Sequence, residues 1–166
     1  MNLDPILPNL YVGSCPVNPA DIDRLQQEFK ISAVLNVQTD DDFAYWGIDW
    51  DRLEAHYRRQ GIAVRRVPIH DFESDDLRRN LFAGVQALDE LVRHGHTVYV
   101  HCSAGINRST STVVAYLHWI EGRSLEDAVA HVTGCRNCDP YVDAIRLAIE
   151  DQRKRATAEA SEPPPA

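Results

Sequence analysis

At 166 residues, 44% hydrophobic and 25% charged, the chain has the length and make-up of one globular domain with a single core. Its 17 Lys and Arg face 25 Asp and Glu, a net charge of −8 that argues against nucleic acid or an anionic membrane as a main partner, since both require a basic surface. No apolar stretch approaches the length needed to span a membrane.

Leu10-Tyr11-Val12 reads as a short edge strand. Asn18 followed by Pro19 predicts a capped helix running to about Phe29. Residues 33–37 are an apolar run, best taken as a buried strand. Asp49 caps a helix over 50–60 that Gly61 stops, and residues 63–69 form another strand whose Pro68 marks its end. After a polar loop at 70–75, Leu77, Leu81, Val85, Leu88 and Leu91 recur at helical spacing up to Gly95. Thr97-Val98-Tyr99-Val100 is the central strand, and Ser109, Val113, Val114, Leu117 and Ile120 carry a helix to Glu121. Ser124 and Asp127 have capping-box spacing and open a helix ending at Gly134, and a last helix spans 141–154. Residues 155–166, rich in Ala, Glu and Pro, are expected to be disordered, which leaves 1–154 as the one domain. Strands alternating with helices predict an α/β fold, a central and mostly parallel sheet with helices on both faces. Ligands bind such sheets at the carboxyl ends of the strands.

Between the central strand and its helix lies His101-Cys102-Ser103-Ala104-Gly105-Ile106-Asn107-Arg108-Ser109. A strand that turns sharply into a helix leaves unpaired N–H groups converging on one spot, with the helix dipole behind them. Ser103, Ala104, Gly105, Ile106 and Asn107 would supply those groups and, with Arg108, bind phosphate. A thiol at the edge of this seat ionises readily, because its thiolate is one of the anions stabilised there. Arg108 offers a planar fork matched to two phosphate oxygens. Nucleophile, cradle and clamp thus fall within one short stretch. A cysteinyl-phosphate route also needs an acid for the departing oxygen and a base for water. Asp71, on the loop after a buried strand and 31 residues before Cys102, is the candidate for both tasks. Glu73, Asp75 and Asp76 read as surface charges or helix caps. His101 is placed to orient the loop, and Ser109 to stabilise the sulfur as it leaves. This chemistry needs no metal or cofactor, and the lone Cys135-x-x-Cys138 lacks the second ligand pair of a zinc site.

The pattern His-Cys-x5-Arg-Ser resembles the signature of the cysteine-dependent protein tyrosine phosphatase superfamily, and the Asp71–Cys102 separation is similar to that of its dual-specificity branch. Asn36-Val37-Gln38-Thr39, Asp42-Phe43-Ala44-Tyr45-Trp46-Gly47-Ile48-Asp49, Ile69-His70-Asp71-Phe72 and Cys138-Asp139-Pro140 resemble the catalytic domain of glucan phosphatases. These are the starch-excess and like-starch-excess phosphatases of plants, related in function to animal laforin. The resemblance covers about residues 5–150 and implies a single-domain protein tyrosine phosphatase-like fold. It also implies hydrolysis of phosphate monoesters on a phosphorylated, glycogen- or starch-like glucan. Phe43, Tyr45, Trp46 and Phe72 would then form an aromatic platform for sugar rings. Asn107 stands where glucan phosphatases usually carry Gly, as in ordinary dual-specificity phosphatases, and Asp139 where some relatives place an aromatic. A phosphoprotein substrate, bearing phosphotyrosine and phosphoserine or phosphothreonine, is therefore the alternative, and a phosphate-binding pseudoenzyme a lesser one. No carbohydrate-binding module, secretory signal or transit peptide is visible, and a thiol that must stay free points to the cytoplasm.

Overall fold

The computed structural model describes residues 1–161. In chain order the elements are β1 (Leu3–Leu7), β2 (Leu10–Gly13), α1 (Pro19–Phe29), β3 (Ala33–Asn36), α2 (Asp40–Trp46), α3 (Trp50–Arg59), β4 (Ala63–Arg66), α4 (Ser74–Arg93), β5 (Val98–His101), α5 (Arg108–Trp119), α6 (Leu125–Cys135) and α7 (Val142–Ser161). The strands form one sheet in the order β1-β2-β5-β3-β4, parallel throughout except where β1 runs antiparallel to β2. This is the expected α/β architecture.

Side-chain alternation divides the core into two layers. Leu10 and Val12 of β2, Leu35 of β3 and Val98 and Val100 of β5 face one cluster, closed by apolar residues of α4, α5, α6 and α7. Val34 and Tyr99 face the other, closed by α1 and α3 through Ile22, Leu25, Leu53 and Tyr57. Strands covered on both faces must be apolar on both, and β3 and β5 are buried at every position. The sheet thus holds the carboxyl end of β5 in a fixed place.

Three expectations need correction. Leu10–Val12 is not at the edge, because β1 pairs outside it. Asp4 and Pro5 disguise β1 as a turn, yet Pro is tolerated on an edge strand. The strand expected to reach residue 69 ends at Arg66. Val67 and Ile69 still donate to Asn36 and Val37, but Pro68 between them has no N–H to give. The last helix continues past Lys154 to Ser161, because Arg155, Ala156 and Ala158 just beyond are strong helix formers. The rest of the expected disordered tail, 162–166, lies outside the described residues. Helix α2 was also unforeseen. It is short, and a reciprocal capping box between Thr39 and Asp42 starts it.

Candidate active site

The loop 102–107 joins the end of β5 to α5, a helix buried from Arg108 to Leu117. Buried Cys102 accepts a hydrogen bond at Sγ from the Gly105 N–H at 3.2 Å, and Ser109 Oγ lies 3.3 Å from the same sulfur. The N–H groups of Ser103, Ala104, Ile106 and Asn107 have no acceptor among the described residues. Gly105 sits at φ +71° with the Gly13 backbone against it, so a Cβ there would fall 2.3 Å from the Gly13 carbonyl. Only glycine permits both the angle and the approach. Asn107 binds the Asp139 carbonyl through Nδ2 at 2.7 Å, and Ile106 is partly exposed.

Arg108 is buried and spoken for. Its Nη1 and Nη2 donate to the two oxygens of Asp42 at 2.7 and 3.0 Å, a fork-on-fork pair. Nη1 also reaches the Ile69 carbonyl, while Nη2 reaches Asp71 Oδ2 at 2.9 Å and Ser103 Oγ at 3.2 Å. Nε is buried without a partner. Asp42 further accepts from Thr39 N and Oγ1 and from Ser103 Oγ. Burial works to raise its pKa, but the Arg108 and Thr39 hydrogen bonds win and hold the carboxyl well below the usual carboxylate range. Losing one partner of such a pair typically costs about 3–5 kcal/mol, since a buried charge is left uncompensated. The structure therefore adds Asp42 to the site. Its sequence signals were the Thr39-x-x-Asp42 capping spacing and its place at the head of the Asp42–Asp49 stretch that resembles glucan phosphatases, and neither points to Arg108.

Asp71 meets the cluster from the opposite loop. Besides Arg108 it holds Phe72 N through Oδ1, and Phe72 stands in the left-handed region at φ 59°. Asp76, expected as a surface charge or cap, closes this loop by accepting from His70 N at 2.8 Å and pairing with the His70 ring. Glu73 precedes α4 without a side-chain cap bond.

The expected aromatic platform separates into two parts. Phe72, Tyr45 and Trp46 are 84%, 82% and 55% exposed and line a groove of about 620 Å³ with Asp41, Asp42, Asp71, Ser103 and Ala104. Phe43 does not join them. It is 6% exposed and stacks on Trp50 at 5.0 Å beneath the Arg66 guanidinium, because its face of α2 turns into the core. A second groove of about 420 Å³ runs past Asp75, Asp139, Tyr141 and Asp143. Among the described residues, neither groove is lined by a lysine or arginine.

His101 lies buried against Tyr99 with Nδ1 on the Cys102 carbonyl at 3.1 Å and Nε2 unpartnered. Burial lowers its pKa to about 4, so at neutral pH the ring is uncharged. In the unfolded chain the ring protonates near pH 6.5, whereas the folded protein refuses that proton until about pH 4. Stability from this group is therefore complete above pH 6.5 and is lost as the pH falls towards 4, in total about 3 kcal/mol. Thermal melts across that window should show the decline in the wild type and a shallower one in His101→Asn. Identical slopes would mean that other groups govern the acid limb.

Residues 10–150 match the family model described as "Dual specificity phosphatase, catalytic domain". The chain is 36% identical to the phosphoglucan phosphatase LSF1, chloroplastic, of Arabidopsis thaliana over 91% of its own length, and 31% identical to laforin of Mus musculus over 92%. It spans 25% and 49% of those two proteins. The crystal structure of PTPMT1 superposes with a TM-score of 0.74 at 20% identity, covering 97% of this chain and all of that one.

Proposed function

Because this chain belongs to the dual-specificity phosphatase catalytic-domain family, we propose that it hydrolyses phosphate monoesters carried on a phosphorylated glucan. Cys102 Sγ attacks phosphorus while the bond to the sugar oxygen breaks, and Asp71 gives that oxygen a proton. Water then attacks the cysteinyl phosphate, Asp71 takes a proton from it, and the sulfur departs as thiolate with the Ser109 hydroxyl beside it. The unpaired N–H groups of the loop and the Arg108 fork take up the charge on the equatorial oxygens. A buried N–H without an acceptor costs about 1–3 kcal/mol, and a phosphate oxygen on Arg108 Nε removes that penalty. The incoming phosphate also competes with Asp71 for Nη2, which releases the carboxyl beside the oxygen it must protonate. Dependence on a free thiol fits a reducing compartment, the cytoplasm in our reading.

The exposed aromatic groove that opens onto Ser103 and Ala104 carries the choice of substrate. Tyr45 and Trp46 meet edge to face with centroids 5.3 Å apart, leaving ring faces for the flat C–H surfaces of a sugar. Carboxylates nearby suit hydroxyl donors and repel dense polyanions. The names of relatives such as LSF1 support the same assignment.

Tyr45→Ala and Trp46→Ala should each slow phosphate release from phosphorylated glycogen or starch about tenfold, the worth of roughly 1.4 kcal/mol of ring contact. Hydrolysis of a small aryl phosphate, which needs only the loop, should be unchanged, as should the melting temperature. Equal losses on both substrates would reduce the rings to packing. Faster turnover of phosphopeptides than of glucan by the wild type would transfer the assignment to phosphoproteins.

A further inference from the structure

We infer that Arg136 is a positioning residue of the phosphate seat, one that turns the N–H groups of the loop towards the anion by seizing its carbonyls from behind; this rests on the hydrolytic reading above. In a trans peptide, the C=O of one residue and the N–H of the next point to opposite sides. A loop can therefore present a row of N–H groups to a ligand only if the matching carbonyls find donors elsewhere. Here every carbonyl from Cys102 to Ile106 has one outside the loop. His101 takes that of Cys102, Cys15 N takes that of Ser103 at 3.0 Å, and Asp139 N takes that of Ile106 at 3.1 Å. The two in the middle, of Ala104 and of Gly105 with its positive φ, both belong to Arg136. Its Nε donates to Gly105 O at 2.6 Å and its Nη2 to Ala104 O at 3.2 Å.

The guanidinium is itself anchored. Nη1 donates to Asp4 Oδ2 at 2.6 Å and Nη2 to Asn2 Oδ1 at 2.7 Å, so the edge of the sheet neutralises and orients it. Arg136 is buried, and it caps α6 in an extended conformation rather than continuing the helix. The bare Cα of Gly105 makes the fit possible, because a Cβ there would come within 2.8 Å of Arg136 Nη2. A planar fork reaches two neighbouring carbonyls and a carboxylate at once, whereas an ammonium has no such geometry.

The test uses Cys102 as a reporter, independent of turnover. In the whole 166-residue chain, inorganic phosphate should protect Cys102 from alkylation by iodoacetamide, and the concentration for half protection measures the seat. Arg136→Met, with an unchanged circular dichroism spectrum, should need at least about tenfold more phosphate, as expected for loss of charge-assisted hydrogen bonds. Its kcat on an aryl phosphate should fall by a similar or larger factor. Wild-type protection in folded Arg136→Met would overturn the proposal. If that variant does not fold, Arg136→Lys gives the same reading, and an undiminished phosphate affinity there overturns it equally. Protection of wild-type Cys102 without hydrolysis of any ester would defeat the hydrolytic reading and leave the positioning role standing.

Discussion

Cys102→Ser should lose turnover on every phosphate ester by roughly ten-thousand-fold or more, the scale on which removing a nucleophile acts. The sulfur lies in the loop within hydrogen-bond reach of the Gly105 N–H and the Ser109 hydroxyl. A serine hydroxyl is a far weaker acid and nucleophile than a thiol. The substitution changes one atom, so the unpaired N–H groups and Arg108 remain, and calorimetry should find inorganic phosphate bound at least as tightly as before. Acid quenching of the wild type during turnover should trap phosphate on Cys102. Residual activity within a hundredfold of wild type would place the nucleophile elsewhere.

Arg108→Lys should be nearly as damaging, despite conserving charge. The present side chain divides its donors: the two terminal nitrogens hold Asp42, Asp71, Ser103 and the Ile69 carbonyl, and Nε is left for an anion. Lysine carries one nitrogen and cannot serve Asp42 and a phosphate together. We expect kcat to fall by roughly a thousandfold on aryl phosphate, comparable to loss of a transition-state donor. The melting temperature should fall as well, because the Asp42 carboxylate loses its bidentate partner in a buried place. Steady-state kinetics beside thermal melts will separate the two effects. A stable Lys variant with near wild-type kcat would show that the clamp lies in the backbone alone.

The parts of this site that were legible from the sequence are those whose meaning is local. Cys102, Arg108 and Ser109 share one strand–loop–helix turn, and the helix starts at Asn18, Asp49 and Ser124 carry their caps beside them. Asp42 was hidden because it stands in a run of three aspartates with nothing local to single one out, and its partner Arg108 is 66 residues away. Arg136 was hidden more deeply, with its carboxylate partner 132 residues before it on a strand that itself escaped notice. Phe43 and Tyr45 show the converse limit. They are two residues apart in one short helix, and only packing decides that the first enters the core while the second meets solvent.

The aromatic groove that opens onto Ser103 and Ala104 is walled by Asp41, Asp42, Asp71 and Glu73, with His70 as the basic group and, among the described residues, no lysine or arginine. A phosphate that enters by this groove passes those carboxylates before it reaches Arg108 and the loop. At physiological ionic strength their field fades over about 8 Å, so its reach is close to the size of a single sugar ring. A neutral polymer with widely spaced esters brings one dianion at a time into this zone and shields it with uncharged neighbours. A crowded polyphosphate, an inositol head group or an acidic phosphopeptide brings several charges within the same screening length and meets the repulsion several times over. In the proposed reaction, selection acts on linear charge density, through the ionic atmosphere, before any group of the substrate has touched the thiol.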